Sequence, residues 1–137
     1  MTFYIDADVP VAVRRAIAGC RNDVTHPGEP GAPAPNTKDK DWLPLAGAQG
    51  WVVLSRDKGI RRRPAELRAV MDSGVRLFVL TSAGNLSRWD TLELLVRRWA
   101  DISQTAAQND GPFICAVTRG GLRPIQPEDL TLPSASG

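Results

Sequence analysis

Three aspartates stand where an apolar run gives way to polar chain, or close to such a point. Asp6 directly follows Phe3-Tyr4-Ile5, Asp57 lies just past Trp51-Val52-Val53-Leu54-Ser55, and Asp41 falls in the segment between them. Asp8 and Asp39 are close neighbours of two of these. Carboxylates gathered at one place repel one another. A hard divalent cation offsets that repulsion and takes oxygen ligands, so Mg²⁺ or Mn²⁺ is the natural occupant of such a cluster. A cation held there activates water and neutralises charge developing on a phosphate. The chain has one histidine, His26, and two distant cysteines, Cys20 and Cys115, which argues against a zinc site of the Cys/His type. Taken singly, each aspartate is more readily a turn residue or a cap. Convergence at one sheet edge is what would give them chemistry. Asp8 is explained by capping a helix, and Asp39 by solvation or by a favourable place in a helix's first turn.

A second feature adjoins the first. Arg56, Lys58, Arg61, Arg62 and Arg63 surround Asp57. Such a cluster would bind the phosphates of a nucleic acid and bring them to the cation, although a solvated basic loop accounts for it about equally well. Arginine suits phosphate because its planar fork can bind two oxygens at once. No aromatic residue is interleaved there, so base stacking is not indicated. Ser55 could hydrogen-bond a carboxylate or metal-bound water, or simply end its strand.

The elements that must position these residues follow from apolar patterning. Phe3-Tyr4-Ile5 predicts a buried strand, followed by a helix with Asp8 as cap, Pro10 in its first turn and Val9, Val13, Ala16, Ile17 and Cys20 on one face. Asp23 to His26 predicts a second short strand, with His26 in a surface or structural role. Pro27 to Asn36 is too rich in Pro and Gly for helix or strand and predicts an exposed loop. Thr37 to Gln49 predicts a helix that Pro44 should kink or shorten. Trp51 to Ser55 is continuously apolar, as in a central parallel strand. Pro64 opens the next helix and Gly74 stops it, Val75 to Leu80 is another strand, and Ser87 caps a long helix with Trp89, Leu92, Val96 and Trp99 facing inward. Phe113 to Val117 is the last strand, Gly120-Gly121 a turn, and 126–137 a flexible tail. The four tryptophans are expected in the core.

Strand and helix alternate throughout, which predicts an α/β domain over 1–125 with a mainly parallel central sheet and helices on both faces. In such a sheet ligands bind beyond the carboxyl ends of the strands, where Asp6 and Asp57 fall. The formal charge of +2 carries no strong message, and 42% apolar residues suffice for one core. The opening residues lack the features of a signal peptide, and no apolar run spans a bilayer, so a cytoplasmic location and no membrane partner are expected.

At these residues the chain resembles the PIN-like nucleases, in particular the VapC-related branch. The resemblance is carried by Phe3 to Pro10, by Asp41-Trp42-Leu43-Pro44, by Trp51 to Arg62 and by Leu80 to Ser87. It implies a three-layer PIN-like fold and an Mg²⁺- or Mn²⁺-dependent endoribonuclease that hydrolyses RNA phosphodiester bonds, commonly the toxin of a toxin–antitoxin pair. By the same resemblance Asp6, Asp41 and Asp57 are the catalytic and metal-binding acids, with Asp8 or Asp39 as a fourth. An antitoxin protein and a second copy of the chain are the implied partners. Two other functions fit parts of the pattern. A module that binds nucleic acid or protein without turnover would keep the fold and the basic loop. A phospho-acceptor receiver would use Asp6, Asp8, Asp57 and Thr81, but it needs a lysine after the fifth strand, and none follows Lys58.

Overall fold

The computed structural model describes residues 1–56, 64–81 and 86–125. Ten elements follow in chain order: β1 (Phe3–Ile5), α1 (Val11–Cys20), β2 (Val24–Thr25), α2 (Asp39–Gln49), β3 (Val52–Ser55), α3 (Pro64–Ser73), β4 (Arg76–Leu80), α4 (Arg88–Gln108), β5 (Phe113–Thr118) and β6 (Gly121–Pro124). The six strands form one sheet in the order β2-β1-β3-β4-β5-β6. The first five are parallel, and β6 returns antiparallel to β5. The expected α/β architecture with a mainly parallel sheet and flanking helices is therefore the one observed. β6 was not foreseen. It grows out of the Gly120-Gly121 turn, where Gly121 adopts a φ of 139° that favours glycine.

Strand alternation splits the core in two. On one face Phe3, Ile5, Val52, Leu54, Phe78 and Val117 pack against α1 and α4. On the other, Tyr4, Val53, Leu77, Val79 and Ala116 pack against α2 and α3. The sheet is thus the middle of three layers. Tyr4 sits against two tryptophan rings, with centroids 5.0 Å from Trp42 and 5.3 Å from Trp51. Phe3 packs on Trp99 at 4.7 Å.

Three local expectations change. Pro44 does not shorten α2, which runs on to Gln49. Pro44 lies on the exposed side, while Trp42, Leu43 and Ala46 anchor the helix from the other. Asp8 does not cap α1. Pro10 holds the cap position in an extended conformation, with no side-chain cap bond. The inward face of α4 is also rotated from the one expected. Thr91, Leu94, Leu95, Trp99, Ile102 and Ala106 are buried, while Trp89 is 71% and Val96 65% exposed. Apolar residues cover more of this helix than the sheet can bury, so spacing alone did not select the face. The other three tryptophans are in the core, as expected. Ser87 does cap α4, accepting from the Asp90 N–H at 3.0 Å. No described helix is long and apolar enough to cross a membrane. The expected tail, 126–137, lies outside the described residues.

Candidate metal centre at the carboxyl edge

The chain passes from β1 outward to β2 and then crosses back to β3 on the other side. Connections leave β1 and β3 in opposite directions, which opens a crevice beyond the carboxyl ends of these two strands. Asp6 is the first residue past β1, and Ser55 is the last residue of β3. They are held side by side because the Asp6 N–H donates to the Leu54 carbonyl at 2.9 Å, extending the parallel register by one bond.

The side chains converge from there. Asp6 is buried, and its Oδ1 accepts from the Ala7 N–H at 2.6 Å. The fully buried Ser55 hydroxyl lies 3.2 Å from Asp6 Oδ2. The same hydroxyl lies 3.3 Å and 3.2 Å from the two carboxylate oxygens of Asp8. Asp8 Oδ1 also accepts from the Arg56 N–H at 3.1 Å. Asp8 is thus drawn across the crevice to the end of β3. Its turn is closed behind it by the Val9 N–H, which donates to the Asp6 carbonyl at 3.1 Å.

Electrostatics mark the pair as unusual. Burial pushes the Asp6 carboxyl up to about 8, with the Asp8 charge adding to the effect. The Ala7 N–H opposes the rise, and Asp39 adds further to it, as does a hydrogen bond between the Asp6 and Asp8 side chains. Ionising Asp6 beside another carboxylate in a site drawn out of water is costly, which is why its protonated form is favoured. The Tyr4 hydroxyl is raised as well, first by burial and then by the Asp6 charge.

Asp39 is the third acid of this group. It stands in the first turn of α2, where its Oδ1 accepts from the Trp42 indole N–H at 3.0 Å. Its charge acts on both Asp6 and Tyr4. Asp41, two residues on, is exposed. Residues two apart on a helix do not face the same way. α2 places Asp39 where its charge acts on Asp6 and leaves Asp41 exposed. Among the described residues, no group of three or more His, Cys, Asp or Glu side chains closes into a ready-made metal cage. Asp57, Lys58, Arg61, Arg62 and Arg63 lie outside the described residues, as do 82–85 of the Leu80 to Ser87 segment.

Arg56 is described and borders the site. Its guanidinium reaches from the end of β3 to the Thr91 hydroxyl of α4 at 3.4 Å, and that hydroxyl donates to the Ser87 carbonyl at 2.8 Å. One cation is thereby fixed between the acid pair and the start of α4. His26, at the end of β2, is buried and lies 3.2 Å from Glu29, so it helps to hold the start of the Pro/Gly loop. The sequence reading offered Asp8 or Asp39 as a fourth acid and Ser55 as a partner for a carboxylate, without choosing among their alternatives. The available signals were the Asp6-Ala7-Asp8 spacing after a strand, a serine at the end of the neighbouring strand, and a tryptophan three residues after Asp39.

The oxygen-only donor set fits a hard divalent cation. Two carboxylates are held on one buried hydroxyl, and their repulsion is only partly relieved by backbone N–H groups. A relative from Mycobacterium tuberculosis (strain ATCC 25618 / H37Rv), named "Putative ribonuclease VapC45", is 33% identical over 86 residues. The match covers 61% of this chain and 59% of the relative, so the chain spans about three-fifths of that protein's length. No solved structure matches. The family model described as a PIN-like domain matches residues 1–82, which hold β1 through β4 and every acid of the crevice. By that match the chain belongs to the PIN-like domain family.

Proposed function

We propose that this chain is an endoribonuclease dependent on Mg²⁺ or Mn²⁺, and that it acts as the toxin of a toxin–antitoxin pair in the cytoplasm. The observation that carries the reading is the Asp6–Asp8 carboxyl pair on the Ser55 hydroxyl, at the point where the sheet's connections diverge. Membership of the family and the name of the mycobacterial relative support RNA as substrate and an antitoxin protein as partner.

Asp6, Asp8 and Asp39 would hold the cation, with Asp57 as the further acid that the sequence supplies two residues past β3. A bound divalent cation supplies water activation and charge neutralisation at a phosphate. The protein's own groups prepare for it. Burial and the neighbouring Asp8 charge favour the protonated form of Asp6, and a cation bound there would favour its release. Ser55 and the Ala7 and Arg56 N–H groups fix the directions of the carboxylate oxygens, so little reorganisation remains. Arg56 places a guanidinium beside the acids, where it would hold a phosphate oxygen of the strand against the site. Lys58, Arg61, Arg62 and Arg63 would extend that contact along the RNA backbone.

Purified protein should cleave single-stranded RNA when Mn²⁺ or Mg²⁺ is added and stop when EDTA is added. Asp6→Asn should abolish cleavage while far-UV circular dichroism is unchanged. Cleavage in EDTA, or full activity of the Asp6→Asn protein, would exclude this function.

A further inference from the structure

The inward face of α4 carries one hydroxyl. Its buried residues are Thr91, Leu94, Leu95, Trp99, Ile102 and Ala106, and Thr91 has no exposed surface. A hydroxyl so placed costs stability unless it is bonded. Its proton is already committed. Thr91 Oγ1 donates to the Ser87 carbonyl at 2.8 Å, one turn back on the same helix, beside the backbone bond from the Thr91 N–H to that carbonyl at 2.9 Å. A hydroxyl has one proton to give and two lone pairs to offer. What remains at Thr91 is therefore an acceptor, and the donor it meets is Nη1 of Arg56 at 3.4 Å.

That contact decides where the Arg56 charge rests. The Arg56 backbone N–H is bonded to Asp8 Oδ1 at 3.1 Å, so the side chain starts beside the acid pair. An arginine in such a place would ordinarily fold back onto the carboxylates as a two-pronged ion pair. Among the described residues its guanidinium is bonded instead to Thr91 and forms no ion pair with Asp6 or Asp8. A guanidinium lying on the acids would occupy the oxygens that a cation needs and use up its own donors. Held on α4, it leaves both available. We propose that Thr91 is a positioning residue of the crevice: its hydroxyl holds the Arg56 guanidinium away from the Asp6–Asp8 pair, so that the carboxylates stay open to a divalent cation and the guanidinium to a phosphate of the RNA. This role rests on the function proposed above and adds a residue of α4 to that site.

Calorimetric titration of the full chain with Mn²⁺ tests it. Thr91→Val keeps the shape of the side chain and removes the acceptor. The guanidinium should then turn onto the carboxylates, and the Mn²⁺ affinity should fall about tenfold. Thr91→Ser, which keeps the hydroxyl, should bind as the unmodified protein does. In an Arg56→Ala background the Thr91→Val exchange should change nothing, because no guanidinium is left to compete. A merely structural Thr91 would weaken binding in both backgrounds. If Thr91→Val does not give the circular dichroism spectrum of the unmodified protein, Thr91→Ala is compared in the same two backgrounds. An affinity untouched by loss of the hydroxyl, or an equal fall with and without Arg56, would overturn this role and leave the cation site standing. Absence of Mn²⁺ binding by the unmodified protein would overturn the proposed function and this role with it.

Discussion

Ser55 has one hydroxyl proton to share among three carboxylate oxygens at 3.2–3.3 Å. It can satisfy only one at a time, so its role is to hold two acids in one place rather than to neutralise them. Removing the hydroxyl should take away the one side chain that both acids share and loosen Asp8, which keeps its bond from the Arg56 N–H. Ser55→Ala should therefore weaken Mn²⁺ binding by about 10- to 100-fold, the usual effect of losing a group that orients a ligand. Calorimetric titration with Mn²⁺ measures this, and an unchanged affinity would reduce Ser55 to a packing residue. The same titration separates two acids that sequence could not. Asp39→Asn should lower the affinity, and Asp41→Asn should leave it within error, because only Asp39 acts on Asp6. Asp6 was legible from its place after an apolar run. The choice between Asp39 and Asp41 was not, since it depends on a helix phase that a proline-containing segment of weak amphipathicity does not reveal. The capping role expected of Asp8 failed because Pro10 takes the cap position, which a sequence with two candidate caps before the helix does not reveal.

At the scale of elements, the site depends on α2 lying close to α3, since α2 carries Asp39 and the Trp42 that fixes it. Gly47 permits that approach: a Cβ there would collide with the Ser73 carbonyl oxygen of α3. Gly47→Ala should push the two helices apart and cost about 1–3 kcal/mol, as overpacking of a close contact does. Chemical denaturation would show it as a lowered midpoint with little change in slope, and an unaffected midpoint would mean that the contact relaxes freely. Ser87→Ala should cost about 1 kcal/mol at the start of α4 through loss of its cap. The alternation of strands and helices was legible because each buried parallel strand is a short, uninterrupted apolar run. β6 was not, because Gly121–Pro124 is a half-exposed edge strand with no apolar run. The face of α4 was not legible either. That helix carries a stripe for the sheet and a second one on its open flank, and a sequence does not say which stripe faces inward.

At the scale of the whole molecule, the acid pair ties stability to pH and to metal. An unfolded Asp6 loses its proton near 3.8, whereas the folded one keeps it to about 8. Between those values the native state binds more protons than the unfolded state, so stability falls as pH rises. The slope is up to about 1.4 kcal/mol per pH unit for one proton. Asp23 acts in the opposite sense and outside this window. Its hydrogen bond from Arg21 lowers its carboxyl, so its contribution is lost only as pH falls below the ordinary carboxylate range. Metal-free protein should therefore show a thermal midpoint that declines from about pH 5 to about pH 8, and Asp6→Asn should flatten that decline. A cation that binds only the native, deprotonated pair stabilises by mass action. Mn²⁺ should accordingly raise the midpoint more at pH 8 than at pH 5, and should do so little in the Asp6→Asn protein. Thermal melts at both pH values, with and without Mn²⁺, measure all of this in one experiment. A metal-free decline that survives Asp6→Asn would place the titrating group elsewhere. An Mn²⁺ effect that is the same at both pH values would separate the cation from the carboxyl pair.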